Sequence, residues 1–276
     1  MSELAVVTGT THGIGRVTSR ELARAGRTVV MLCRNLAAAG ALRVELASAF
    51  PRSPVHVVEC DLASLSSVRA AAATLRRDFG PIGLLVNNAG ITSTLHRTSP
   101  DGFELTFATN HLGPFLLTSL LLPQLSATAR IVTVASRVHF RGRLDLPRVA
   151  DARARYSGIA AYAQSKLANV LHTFALARRL STTHITVNCL HPGVVATNLL
   201  PWWIRLVKPL LSPVIFDAER GARTTLHLAL SDDVAGVSGR YFDEHQIPVP
   251  AAALANDAEL QELLWNASVR WVGLPE

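Results

Sequence analysis

Apolar residues arrive in short, nearly unbroken runs at 4–8, 28–32, 55–59, 82–87, 130–135 and 184–190. The runs are rich in Val, Ile and Leu and mostly do not alternate with polar residues, the pattern of strands buried on both faces. Between them lie stretches with helical spacing at 14–25, 36–50, 65–79, 101–125 and 158–180. Each connection exceeds the length of about a dozen residues that a parallel crossover needs. The alternation predicts an α/β fold, a single doubly wound parallel sheet flanked by helices. No linker, repeat or low-complexity tract interrupts it, so residues 1–276 read as one domain. After 190 the rhythm changes to an apolar stretch at 194–216, a helix at 218–230, a short strand at 240–242 and a last helix at 257–271.

Composition narrows the partners. With 276 residues, 49% of them hydrophobic and 17% charged, the chain can bury a large core and is no disordered segment. A net charge of +7 raises nucleic acid as a partner. Yet the basic residues are scattered arginines, alone or in pairs such as Arg76-Arg77 and Arg178-Arg179, with no run that would track phosphates. No nucleic-acid partner is therefore expected. Lys166 and Lys208 are the only lysines. Cys33, Cys60 and Cys189 are widely spaced and form no Cys-x-x-Cys, so neither a disulfide framework nor a metal site is expected. Buried thiols in a reducing cytoplasm fit them better. Met1-Ser2-Glu3 runs straight into the first apolar run, which predicts no secretory signal, and no uninterrupted apolar run reaches the ~18 residues of a membrane span.

The first run ends in Thr8-Gly9-Thr10-Thr11-His12-Gly13-Ile14-Gly15, followed by Arg16. Glycines between a strand and a helix allow positive φ and close backbone approach, and the helix N-terminus can face a pyrophosphate. The spacing is Gly-x-x-x-Gly-x-Gly rather than the usual dinucleotide fingerprint, and a tight strand–helix corner would use the same residues. The second run ends in Cys33-Arg34-Asn35, with no acid to accept from the ribose of NAD. Arg34 can fork onto a 2′-phosphate and Arg16 can add a second charge, which points to NADP(H). Ordinary surface arginines are the alternative. Asp61-Leu62, after the third run, is expected near the adenine, or Asp61 caps a turn.

Tyr162 and Lys166 stand four apart in a helical segment and share a face. An ammonium and an oxidised nicotinamide nearby would lower the phenol from its usual pKa of about 10 and make it an acid/base near neutrality. A solvated Tyr–Lys face is the alternative.

Taken in order, Gly9-x-x-x-Gly13-Ile14-Gly15, Asn87-Asn88-Ala89-Gly90, Ser136, Tyr162-x-x-x-Lys166 and Pro192-Gly193 with Thr197 resemble the short-chain dehydrogenase/reductases over nearly the whole chain. Thr109-Asn110-His111-Leu112-Gly113-Pro114-Phe115-Leu116-Leu117 and Leu263-Leu264-Trp265-Asn266-Ala267-Ser268 are similar to the retinol-dehydrogenase and WW-domain-oxidoreductase branch. The resemblance implies that Tyr162 exchanges the proton, that Ser136 holds the carbonyl oxygen and that Lys166 holds the nicotinamide ribose. It implies that Asn110 orders a relay water, that Asn88, Ala89 and Gly90 line the adenosine side, and that Pro192, Gly193 and Thr197 cover the nicotinamide. His12 replaces the family's usual small polar residue, and the Arg-rich stretch 137–155 has no assigned role. Relatives often form dimers or tetramers through two long helices, here 101–125 and 158–180.

The variable lid of the family falls at 194–216, where Trp202, Trp203 and Lys208 lie in a strongly apolar run. Such a lid predicts a hydrophobic substrate bound by Ser136, Tyr162, Trp202 and Trp203. Packing onto the fold or a partner subunit, or peripheral contact with a membrane, are its other readings. The expectation is an NADP(H)-dependent oxidoreductase for a hydrophobic aldehyde, ketone or alcohol, cytoplasmic or membrane-associated. The rival is a catalytically silent NADP-binding sensor or scaffold.

Overall fold

The computed structural model describes residues 3–150, 156–195 and 216–275. Eight strands form one sheet in the order β3-β2-β1-β4-β5-β6-β7-β8. These are β1 Leu4–Thr8, β2 Thr28–Cys33, β3 Val55–Glu59, β4 Ile82–Asn87, β5 Leu125–Val134, β6 Thr186–Leu190, β7 Tyr241–Phe242 and β8 Pro248–Val249. All neighbours are parallel except the β7–β8 pair. Strand order reverses between β1 and β4, and ligands bind such sheets beyond the carboxyl ends at this point.

Helices cover both faces. Ala5, Val7, Val29 and Met31 pack under α1 (Gly13–Arg24), α2 (Leu36–Ala49) and α8 (Ala218–Leu230). Val6, Val30 and Leu32 point the other way, toward α3 (Leu65–Asp78), α5 (Gly113–Leu121), α7 (Gly158–Arg179) and α9 (Ala258–Val272). Consecutive strand residues thus feed opposite cores, which is why the runs carry no polar alternation.

Most predicted bounds hold within a residue or two. The helix expected at 101–125 is instead broken into α4 (Leu105–Phe107), a π-helical turn (Ala108–Leu112), α5 and a 3₁₀ turn (Leu122–Gln124). Pro114 explains part of this, since it has no N–H for the carbonyl four residues back, that of Asn110. By length and composition, residues 105–124 are apolar enough to cross a membrane, but 78% of that window is buried inside the fold, as in a core helix. β5 begins five residues earlier than its apolar run predicts. The short α6 (Leu146–Ala150) and β8 carry no sequence signal of their own: β8 is a two-residue edge strand beginning with Pro248, whose side of the ladder needs no donor.

Candidate active site

The glycine turn is braced from behind. Gly9 and Gly13 have φ of +69° and +53°. A Cβ on Gly9 would sit 2.8 Å from Ala89 Cα, and one on Gly15 would run into the Gly9 carbonyl and the Asn88 amide. Asn88 Nδ2 donates to the Thr8 and Gly9 carbonyls, and Thr8 Oγ1 accepts the N–H groups of Asn88 and Ala89. Thr8 was legible only as the end of a strand, yet it ties the turn to the loop after β4. At the start of α1, His12 provides no side-chain cap and no acid occupies the first turn. Its hydroxyl neighbour Thr11 bonds the His12 ring instead, at 2.8 Å. The first amides of α1 thus keep the donor character that suits an anion. These residues fit a dinucleotide pyrophosphate.

At the end of β2, Arg34 is exposed and forms no ion pair among the described residues. Asn35 caps α2 through the Ala38 amide. Arg16 pairs with Glu45 of α2 at 2.7 Å, both about half exposed, so its charge is already countered. Asp61 Oδ1 accepts from the Ala63 N–H, the turn-capping alternative, and Leu62 is buried beside Gly113.

Beyond β5 the second cluster forms. Lys166, 2% exposed, donates from Nζ to the Val134 carbonyl at 2.8 Å and lies 5.7 Å from the centroid of the Tyr162 ring. Burial lowers its pKa to about 8. Burial pushes the pKa of the Tyr162 phenol up, and a hydrogen bond with the Ser136 side chain opposes this. The Lys166 ammonium is directed at the Val134 carbonyl, and burial is the larger influence on the phenol. Asn110, in the π turn, holds the loop after Gly90: its Oδ1 accepts from Ile91 N at 2.8 Å, and Nδ2 donates to Ile91 O and Ser165 Oγ. A Cβ on Gly90 would lie 3.3 Å from Lys166 Nζ, so loop, lysine and Asn110 are in close packing. The side-chain amide of Asn110 is therefore a brace.

Sequence reasoning missed the wall behind Ser136. His139 Nε2 accepts from Ala252 N, so the hydrogen sits on Nδ1, which donates to Ser136 O at 2.8 Å. Tyr241 packs on His139 and stacks on His191, whose Nδ1 lies 2.8 Å from the Tyr241 hydroxyl and whose Nε2 lies 2.5 Å from Glu244 Oε2. His191 leads into Pro192 and Gly193, where φ is +77° and a Cβ would meet the Phe216 ring. Val194 O accepts from Phe216 N, so the two ends of the apolar stretch 194–216 meet. Thr197, Trp202, Trp203 and Lys208 lie outside the described residues, as does part of the Arg-rich stretch, 151–155.

A cavity of about 1000 Å³ opens at the opposite end of the sheet beside Arg27, Gly83, Arg130 and His184. It is remote from both clusters. Cys33, Cys60 and Cys189 are buried free thiols.

A glycine turn at the switch point and a Ser–Tyr–Lys cluster beyond β5 are the arrangement of a nicotinamide-dependent oxidoreductase. The chain belongs to the short chain dehydrogenase family, which matches residues 3–203. It is 42% identical to mouse (Mus musculus) retinol dehydrogenase 14 over 291 residues, covering 98% of this chain and 85% of the relative. Among solved structures, an uncharacterized protein from Mycobacterium paratuberculosis superposes with a TM-score of 0.82 at 36% identity, covering 99% of this chain and 94% of that one. A blue fluorescent protein from a metagenomic library, in complex with NADPH, gives 0.71 at 28% identity, covering 87% and 95%. The resemblance to the retinol-dehydrogenase branch is borne out.

Proposed function

We propose that the chain is an NADP(H)-dependent oxidoreductase that interconverts a hydrophobic aldehyde or ketone with its alcohol, with Tyr162 as acid and base. The convergence of Tyr162, Ser136 and Lys166 beyond β5 carries this reading. When bound, the nicotinamide supplies or accepts the hydride. In reduction, Tyr162 gives its phenolic proton to the substrate oxygen and Ser136 Oγ holds that oxygen in place. At neutral pH the phenol, its pKa raised by burial, is in the acid form that this step needs. Lys166 has three N–H donors and directs one at Val134, so two remain for ribose hydroxyls. Asn110 holds the water that returns a proton toward Lys166 and Tyr162.

The free Arg34, the absence of an acid beside it and the NADPH complex of the metagenomic relative support NADP(H) over NAD(H). A hydrophobic substrate is supported by the name of the mouse relative, a dehydrogenase of an alcohol, and by the half-exposed Phe140 and Val194, which follow Ser136 and Gly193 closely. Substrate-binding roles for Trp202 and Trp203 rest on sequence alone.

The test is fluorescence titration with NADPH and NADH, joined to NADPH oxidation over a panel of long-chain aldehydes and ketones. Tighter NADPH binding and turnover of at least one carbonyl compound are expected. Cofactor binding without turnover of any of them would overturn the enzyme reading.

A further inference from the structure

We propose that the C-terminal helix α9 is a working part of the active site, with Ser268 as a positioning residue for the turn that carries Asn110. The two branch-like runs of the sequence, 109–117 and 263–268, meet here. His111 Nε2 lies 2.8 Å from Ser268 Oγ, and both side chains are buried, at 1% and 0% exposed.

The turn needs an outside support. A π turn is a rare, short distortion of a helix. This one has five residues, between the three-residue α4 and a helix whose second residue is Pro114. Asn110 and His111 are consecutive within it. Asn110 faces Ile91 and Ser165, while His111 faces α9, so the bond to Ser268 and the bonds to Ile91 hold the same turn from two sides. The other ring nitrogen of His111, Nδ1, is buried and has no partner among the described residues, which makes Ser268 the sole hydrogen-bond partner of the ring among them. Removing Ser268 Oγ would leave a second buried ring nitrogen unpaired.

Helix α9 is rigid enough for this task. Asp257 caps its start, and Gly273, at φ +64°, ends it. The Arg179 guanidinium lies 3.8 Å above the Trp265 ring, and Glu262 pairs with Arg178 and Arg179 of α7. Trp265 also packs edge-on against Phe115, four residues after His111. The helix lies beyond residues 3–203, the part matched to the family.

The brace is a matter of geometry; its bearing on catalysis rests on the function proposed above. The test is hydrogen exchange by mass spectrometry on the whole chain without cofactor. In Ser268→Ala, peptides covering 105–117 and 88–95 are expected to exchange about tenfold faster, while 4–24 is unchanged. Ser268→Cys, which keeps a side chain of similar shape, is expected to restore much of the protection. His111→Phe fills the ring volume and leaves no unpaired nitrogen, so it keeps the core packed and serves if Ser268→Ala does not fold. It too is expected to speed exchange at 88–95. With a turned-over aldehyde, kcat falls in these variants while the KM for NADPH stays the same. Faster exchange confined to 258–272, or no change at 88–95, would overturn the proposal. A wild type that turns over no substrate would instead count against the proposed function and leave the exchange result to decide this one.

Discussion

Lys166 Nζ donates to the carbonyl of Val134 at 2.8 Å, which fastens the sole lysine of the described residues to the end of the central strand β5. Its ammonium is thereby taken out of water and directed into the site.

That burial sets a pH dependence. With its pKa lowered to about 8, Lys166 is charged below that value and neutral above it. Tyr162, raised, stays protonated across the same range. Reductive kcat/KM with NADPH should therefore be level near neutrality and fall above about pH 8, by about tenfold per unit at the limit. Lys166→Met should lose about 100-fold or more and abolish this limb. Rate profiles from about pH 6 to about pH 10 check it.

Arg34 and Arg16 should differ. Arg34 is free to meet a 2′-phosphate, whereas Arg16 is held by Glu45. Arg34→Ala is expected to weaken NADPH by about 10- to 100-fold, or about 1.4–3 kcal/mol, and to leave NADH nearly unchanged. Arg16→Ala should have a smaller effect. Paired titrations of both cofactors measure this.

The chain should be a monomer. Residues 165–176 of α7 are buried on every face apart from the half-buried Phe174, and residues 113–118 of α5 are buried throughout. The two helical segments expected to pair subunits are covered from within, by α9 on α7 and by α3 on α5. Light scattering should give a mass near the single-chain 29.7 kDa over the accessible concentration range.

Acid should loosen the same region. His111 and His172 are buried, and burial holds both pKa values down, that of His172 at about 4. In the folded chain these rings stay neutral, while the unfolded chain protonates them near pH 6.5. Stability is therefore full above about pH 6.5 and lost as pH falls toward 4, by about 1.4 kcal/mol per unit for His172. Urea midpoints at several pH values should follow this slope, and His172→Phe should flatten it.

The order of elements and most of the site were legible because they depend on local pattern. Buried parallel strands need apolar runs, and a glycine turn or a Tyr–Lys pair on one helix face needs fixed spacing. What escaped were features made by distant partners. The break at Asn110 lies beside Pro114 and is met by α9 through the His111–Ser268 contact, 157 positions apart. The bond from the Ala252 N–H to His139, 113 positions apart, and that from Tyr241 to His191, 50 apart, have no short-range pattern that encodes them. Burial of Tyr162, which raises its phenol pKa, also leaves no trace in spacing, whereas its closeness to Lys166 does.

The most direct test of the account is NADPH oxidation by wild type and Tyr162→Phe on the same aldehydes, with NADPH binding measured on both. The account predicts a fall in kcat of about 100- to 10,000-fold and NADPH affinity within about threefold of wild type. Turnover by Tyr162→Phe within about tenfold of wild type would contradict it.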